Sequence, residues 1–106
     1  MPILKTTLKK GDIQEDKLVK VEVSDKSIVL TNIDGKFYAM DSVCSHAGGP
    51  LEEGTLEGYT LTCPWHFGKF DVRNAKASLE TNWVTNLTSY PVIVDDKTGD
   101  ISIETA

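Results

Sequence analysis

Short apolar-rich runs, separated by turn residues, make up much of the chain. LVKVEV at 18–23 alternates between apolar and polar positions, and SIVLTNI at 27–33 and KFYAM at 36–40 have similar length and composition. Such runs are typical of β-strands with at least one buried face. Asp34-Gly35, between the last two runs, favours a two-residue hairpin turn.

The second half of the chain contains four further strand candidates: YTLT (59–62), KFDVR (69–73), SYPVIV (89–94) and DISIE (100–104). Gly99, between the last two, can adopt a positive φ. No segment keeps a 3.6-residue apolar spacing, so we predict an all-β domain, a small antiparallel sandwich or barrel of about eight strands. Residues 42–58 do not alternate and are predicted to form a long loop, which is usually a functional feature.

The composition is that of one globular domain. Of the 106 residues, 40% are hydrophobic and 25% are charged. No apolar run approaches the roughly 18 residues of a membrane span, and the first residues lack the apolar core of a signal peptide. We therefore expect a soluble, cytoplasmic protein without a membrane partner, in a compartment where structural disulfides are rare.

The net charge of −5 is concentrated in the middle of the chain. Residues 1–40 carry +1, residues 41–71 carry −4 and residues 72–106 carry −2. Nucleic-acid binding requires Lys and Arg at the contact surface and is therefore not expected. The acidic middle segment fits docking on a positively charged protein, and it fits an ordinary solvated surface equally well.

The same middle segment holds every Cys and His of the chain. They occur in two short sequences, CSH at 44–46 and CPWH at 63–66, with 16 residues between the two sequences. Thiolate and imidazole ligands together suit zinc, copper or an iron–sulfur centre.

Several kinds of site could use these four residues. A disulfide would leave both histidines without a role, and unrelated core residues would not explain why each sequence holds one Cys and one His. Structural zinc is a serious alternative, although zinc fingers usually pair Cys with Cys and His with His. A two-iron centre, with the cysteines on one iron and the histidines on the other, fits the arrangement better.

The two sequences resemble the motif of the Rieske family, which is C-x-H and C-x-x-H about sixteen residues apart. The surrounding segments DGKFYAMDSVC, GGPLEEG, CPWHFGKFDV and YPVIV are also similar to those of Rieske ferredoxins, and the resemblance runs from about residue 18 to residue 104. It implies the Rieske fold, with a base domain of about residues 1–41 and 72–106 and an inserted cluster-binding subdomain of about residues 42–71.

The resemblance also implies a cofactor and its ligands. One [2Fe–2S] cluster is expected, with the inner iron held by Cys44 and Cys63. The outer, solvent-facing iron would be held by His46 and His66.

Residues next to these ligands are expected to support the cluster or to contact a partner. The side chains absent at Gly48, Gly49 and Gly68 would let backbone N–H groups approach the sulfides, and Pro50 would stiffen the first loop. An apolar docking rim is expected from Ala47, Pro50, Leu51, Trp65 and Phe67. Beyond it, an acidic rim is expected from Glu52, Glu53 and Glu57.

Two departures from the respiratory members of the Rieske family indicate a low reduction potential. Those members are similar at the ligands but have an additional cysteine in each loop, whereas this chain has two cysteines in all. They also carry a hydroxyl two residues after the last His and a tyrosine four residues after it, where this chain has Gly68 and Phe70. Hydrogen bonds to cluster sulfurs favour the reduced state, so their loss lowers the potential.

The segment RNAKASLETNWV at 73–84 also differs, because it lacks the Gly and the proline-containing loop common in the family. Asn74 is expected to take the turn. Trp83 would either cover the cluster or lie in the core.

We interpret the chain as a one-electron carrier rather than an enzyme, and expect a monomer. It would pass electrons from a flavoprotein reductase to a terminal oxygenase or a similar acceptor. A Rieske oxygenase would need a separate mononuclear iron held by two further His and a carboxylate, and no His remains. The small Rieske subunit of a nitrite reductase and a zinc-stabilised interaction module stay open as alternatives.

The missing hydroxyls lead to a prediction about the reduction potential. We expect a midpoint of about −150 mV, at the low end for Rieske centres. The double variant Gly68→Ser/Phe70→Tyr should have a higher potential than the wild type, because it restores both donors. Redox titration measures both values, and a wild-type potential above zero at neutral pH would contradict the low-potential assignment.

Overall fold

The computed structural model describes residues 3–23, 26–43, 50–65, 67–78 and 85–104. Within these ranges the chain forms strands and two 3₁₀ turns, at Lys10–Asp12 and Leu51–Glu53, and no α-helix. The strands are β1 (Ile3–Lys9), β2 (Leu18–Val23), β3 (Lys26–Ile33), β4 (Lys36–Asp41), β5 (Thr55–Glu57), β6 (Thr60–Thr62), β7 (Lys69–Asp71), β8 (Lys76–Ala77), β9 (Ser89–Tyr90), β10 (Val92–Val94) and β11 (Asp100–Glu104).

The described strands form three antiparallel sheets. Their orders are β1-β11-β10, β2-β3-β4-β9 and β5-β6-β7-β8. The prediction of an all-β, antiparallel architecture is confirmed. No helix in the described part of the chain is long and apolar enough to cross a membrane.

Strand β3 of the middle sheet, β2-β3-β4-β9, contributes apolar side chains to both faces of the sheet. On one face Ile28 and Leu30 of β3 pack with Ile101 and Ile103 of β11. On the other face Val29 of β3 belongs to a second core that also contains side chains from β6, β7 and the turn before β5. Because both faces of β3 are buried, the strand has consecutive apolar residues at 28–30 and not a strict alternation of apolar and polar residues.

The third sheet places one row of apolar side chains against this second core. Leu56, Leu61, Phe70 and Ala77 are register partners across β5, β6, β7 and β8. Leu61 and Phe70 are fully buried, and the other two pack against them. The threonines and charged residues between them therefore lie on the opposite face of the sheet.

Several predicted turns agree with the structure. Asp34 and Gly35 have φ of 54° and 83°, as a type I′ hairpin between β3 and β4 requires. Gly99 has φ of 78°, as expected. Asn74 does lie in a turn, where its side chain accepts the Lys76 N–H at 3.0 Å, but the positive φ of 60° belongs to Ala75 and not to Asn74.

Three expectations about the strands were wrong. The described residues contain eleven strands where about eight were predicted, because β1, β5 and β8 are short or largely polar. Residues 42–58 do not form one long loop, since they include the 3₁₀ turn at Leu51–Glu53 and strand β5. SYPVIV forms two strands in different sheets, and Pro91 between them has no N–H to donate to either sheet.

Asp41, at the end of β4, connects this strand to the segment before β9. Its backbone N–H donates to the Thr88 carbonyl at 3.0 Å, and its carboxylate accepts the Thr88 N–H at 3.1 Å. The same carboxylate accepts the Tyr90 O–H at 2.7 Å. Burial, together with this hydrogen bond, raises the pKa of Tyr90 to about 12.

The raised pKa predicts a loss of stability at alkaline pH. The unfolded chain ionises Tyr90 near pH 10, so the stabilisation is fully present below that pH and is lost as the pH rises towards about 12. At neutral pH the free energy of unfolding of the Tyr90→Phe variant should be about 1 kcal/mol lower than that of the wild type, because the hydrogen bond to Asp41 is lost. The variant should also lack the fall in stability between pH 10 and about 12 that Tyr90 causes. Denaturant unfolding at several pH values measures both effects, and parallel profiles for the two proteins would contradict the assignment.

Candidate metal centre

The first Cys–His segment is closed at its base by backbone contacts. Val43 and Pro50 form an antiparallel bridge, and the Leu51 N–H donates to the Ser42 carbonyl at 2.8 Å. Val43 and Pro50, which flank residues 44–49, are therefore held side by side. The predicted site residues within that segment, namely Cys44, His46, Ala47, Gly48 and Gly49, lie outside the described residues, as does Trp83.

The second Cys–His segment is closed in a similar way. It connects β6 to β7, and the Cys63 N–H donates to the Gly68 carbonyl at 2.7 Å. Gly68 is buried, and Cys63 is fully buried in the core below the third sheet. His66 lies outside the described residues.

The Cys63 sulfur sits in surroundings that suit a metal-bound thiolate. The Trp65 backbone N–H donates to Cys63 Sγ at 3.4 Å. A backbone N–H directed at sulfur stabilises negative charge there, and hydrogen bonds of this kind help to set the reduction potential of iron–sulfur centres. The described part of the donor set therefore fits an iron–sulfur cluster.

Phe67 has a backbone conformation that is rare for a residue with a side chain. Its φ is 60°, in the left-handed region. This conformation costs roughly 1–2 kcal/mol for residues other than glycine. Strain of this kind is frequent where a loop must present a functional group, and Phe67 directly follows the predicted ligand His66.

The structure describes four of the five residues of the predicted apolar docking rim. Trp65 and Phe67 are exposed, with 51% and 68% of their surface accessible, and Pro50 is half-buried. Leu51 is fully buried and cannot contact a partner. It begins the 3₁₀ turn and packs with Leu61 and Phe70, so its inclusion in the rim was wrong.

The predicted acidic rim needs a similar correction. Glu53 and Glu57 are exposed, whereas Glu52 is half-buried. Oxygen Oε1 of Glu52 is inaccessible and has no hydrogen-bond partner in the part of the chain that the structure describes, and the same holds for the Ser42 hydroxyl. Of these three residues, Glu53 and Glu57 are therefore the more exposed.

A polar and aromatic cluster links the third sheet to the middle sheet. The Arg73 guanidinium donates to both carboxylate oxygens of Asp71, at 3.0 and 2.8 Å, and lies 4.2 Å from the centre of the Tyr59 ring. Tyr59 in turn contacts Tyr38 of β4 edge to face at 6.1 Å. Hydrogen bonding from the Arg73 side chain holds the pKa of Asp71 below its usual value.

Gly54 is a residue whose role the sequence analysis did not assign. It follows the 3₁₀ turn after the first segment, and its Cα lies against the backbone of Thr62, which precedes Cys63. The only signal in the sequence was a glycine at the end of GGPLEEG.

Comparison with known proteins assigns this site to a family. The family model of the Rieske [2Fe-2S] domain matches residues 5–91. The chain belongs to the Rieske [2Fe–2S] family. The expected cofactor, a Rieske-type [2Fe–2S] cluster, is thereby confirmed.

A curated relative has a similar length and a redox role. The chain is 39% identical over 85 residues, which are 80% of this chain and 81% of the relative, to the ferredoxin component of naphthalene 1,2-dioxygenase/salicylate 5-hydroxylase systems from Ralstonia sp.. The interpretation as a Rieske-type electron carrier, and not an enzyme, is confirmed.

Solved structures confirm the fold. The ferredoxin of carbazole 1,9a-dioxygenase from Nocardioides aromaticivorans IC177 superposes with a TM-score of 0.87 at 23% identity, covering 97% of this chain and 98% of that chain. A chain in the complex of reduced oxygenase and oxidized ferredoxin of carbazole 1,9a-dioxygenase superposes with a TM-score of 0.83 at 26% identity, covering 95% and 91%. A putative NADH-dependent nitrite reductase small subunit from Mycobacterium tuberculosis shares the fold, with a TM-score of 0.81 at 18% identity, covering 95% and 94%.

The strain at Phe67 gives a testable prediction for this Rieske protein. Phe67→Gly should be more stable than Phe67→Ala by about 1 kcal/mol, because glycine adopts a positive φ without steric cost. Trp65, also exposed and without a positive φ, supplies the control, since Trp65→Ala should be at least as stable as Trp65→Gly. Thermal or denaturant unfolding compares the four variants. If Phe67→Ala were at least as stable as Phe67→Gly, as expected for the Trp65 pair, Phe67 would not be strained.

Proposed function

We propose that this chain is the one-electron carrier of an oxygenase system, receiving electrons from a flavoprotein reductase and delivering them to a terminal oxygenase. In this proposal Cys44 and Cys63 hold one iron of the cluster, and His46 and His66 hold the other. When bound, the cluster would supply one-electron redox chemistry, with no group transferred to a substrate.

The observation that carries the proposal is the burial and hydrogen bonding of the Cys63 sulfur. Its sulfur is buried at the closed end of a short loop and accepts the Trp65 N–H, while the Trp65 and Phe67 side chains on the same loop are exposed. The chain thus combines a protected cysteine sulfur with exposed side chains that a partner can reach. This combination suits an electron carrier, because the cluster must be shielded from water and yet lie close to the partner during transfer.

The names of the relatives support an oxygenase as the acceptor. The curated relative at 39% identity is a ferredoxin component of dioxygenase and hydroxylase systems. The structural neighbour at 26% identity comes from a complex of an oxygenase and a ferredoxin. Two neighbours described as small subunits of nitrite reductases have 16% and 18% identity, a level that shows the fold alone.

Transfer to a partner requires a contact that forms and separates quickly. Trp65 and Phe67 provide apolar contact area, and the exposed carboxylates of Glu53 and Glu57 lie on the segments between the two loops. We infer that this mixed surface makes a small interface, of the size typical of transient redox encounters. We further propose a monomer in the cytoplasm, with residues of about 42–71 as the cluster-binding subdomain on a base of about 1–41 and 72–106.

The ligand set is tested by metal analysis of purified variants. The wild type should contain about two iron and two labile sulfide per chain. Cys44→Ser, Cys63→Ser, His46→Ala and His66→Ala should each lose most of the iron, whereas Trp65→Phe, which keeps the backbone donor, should retain it. A wild type that holds one zinc and little iron would overturn the proposal.

The acidic surface predicts how electron transfer depends on salt. Attraction between exposed charges is screened over a Debye length of roughly 8 Å at physiological ionic strength, so salt should slow transfer to the oxygenase. Glu53→Gln/Glu57→Gln should slow transfer at low salt and weaken its salt dependence. Glu15→Gln/Glu22→Gln removes the same charge from exposed positions near and on β2 and should have a smaller effect. Equal salt dependence in both double variants would mean that the two carboxylates near the site do not guide docking.

A further inference from the structure

The backbones of the two ligand-bearing loops are connected through a short path of direct contacts. The Leu51 N–H closes the first loop on the Ser42 carbonyl, and the Gly54 N–H donates to the Leu51 carbonyl at 3.0 Å. Gly54 then lies against the carbonyl of Thr62. The next residue, Cys63, closes the second loop on Gly68.

Glycine is needed at position 54 for space and not for its backbone conformation. Gly54 has φ of −79° and ψ of −166°, which residues with side chains adopt readily. A Cβ added to Gly54 would overlap the Thr62 carbonyl oxygen, and it would lie 3.2 Å from both the Thr62 carbonyl carbon and the Leu51 carbonyl oxygen. All three atoms belong to the backbone, so a side-chain rotation cannot relieve the overlap.

The backbones around Gly54 have little freedom to move apart. Thr62 is held in β6, where it pairs with Thr55 of β5 and with Lys69 of β7. Leu51 is fully buried, and its N–H and C=O are both engaged in the bonds that close the first loop and the turn. A methyl group at position 54 therefore has to move the turn after the first loop relative to the strand before the second loop.

We propose that Gly54 is a positioning residue for the cluster, because its contact with Thr62 fixes the distance between the two ligand loops. The proposal rests on the ligand set proposed above, in which each loop supplies one Cys and one His. Because each iron then takes one ligand from each loop, the separation of the loops has to match the span between the two ligands of one iron. A shift of one loop therefore weakens or distorts the binding of the cluster.

The chain contains a matched control at Gly11. A Cβ at Gly11 would meet no atom within 4 Å, and Gly11 has no positive φ. Gly54→Ala and Gly11→Ala add the same methyl group and restrict the unfolded chain equally. Differences between these two variants therefore report the contact with Thr62.

The first measurement is the rate at which a chelator removes iron from the holoprotein. Gly54→Ala should release iron on the order of tenfold faster than the wild type, or purify with correspondingly less iron, and the iron that remains should show altered visible circular dichroism. Gly11→Ala should match the wild type in both respects. If Gly54→Ala retained iron as the wild type does and gave the same spectrum, the proposal would be wrong.

The second measurement is amide hydrogen exchange, which does not depend on the presence of iron. In Gly54→Ala the amides of Leu51 and Cys63, which close the two loops, should lose protection together, while amides of β2 and β3 keep theirs. Loss of protection throughout the chain would show that Gly54 stabilises the whole fold and does not act on the two loops in particular, which would overturn the proposal. A wild type without iron would contradict the ligand set, whereas the exchange of Leu51 and Cys63 would still decide the role of Gly54.

Discussion

Two loops must be held at a fixed separation if they are to share one iron–sulfur cluster, and the rest of this structure depends on that constraint. Each loop is closed by a short backbone hydrogen bond at its base, from Leu51 to Ser42 and from Cys63 to Gly68. Strands β5 to β8 continue directly from these closures, and their apolar row is buried against the middle sheet. The middle sheet thus supports the strands that continue from both closures.

The same arrangement separates protection of the cluster from access to it. Cys63 belongs to the core that contains Leu61 and Phe70, so its sulfur is shielded by the packing that stabilises the sheet. Trp65 and Phe67 are only two and four residues further along the chain and are exposed. A short loop that buries the Cys63 sulfur and exposes the Trp65 and Phe67 side chains needs sharp changes of backbone direction, and the positive φ at Phe67 supplies one of them.

The sequence was sufficient to predict the features that depend on local pattern or on a specific motif. β2 and β11 have the predicted bounds, the Asp34-Gly35 turn has the predicted conformation, and the spacing of Cys and His identified the family. The sequence did not predict features that depend on contacts between distant segments of the chain. Leu51 was predicted to lie in the docking rim, although the turn after Pro50 directs it into the core. No pattern in the sequence distinguished Gly54, although Thr62 occupies the space beside it.

The central claim is that two cysteines hold one iron and two histidines hold the other. Pulsed electron paramagnetic resonance of the reduced protein, prepared with ¹⁵N-labelled histidine, tests it most directly. The account predicts couplings to two histidine nitrogens, both of which change on labelling. A reduced cluster without any histidine nitrogen coupling would contradict the account.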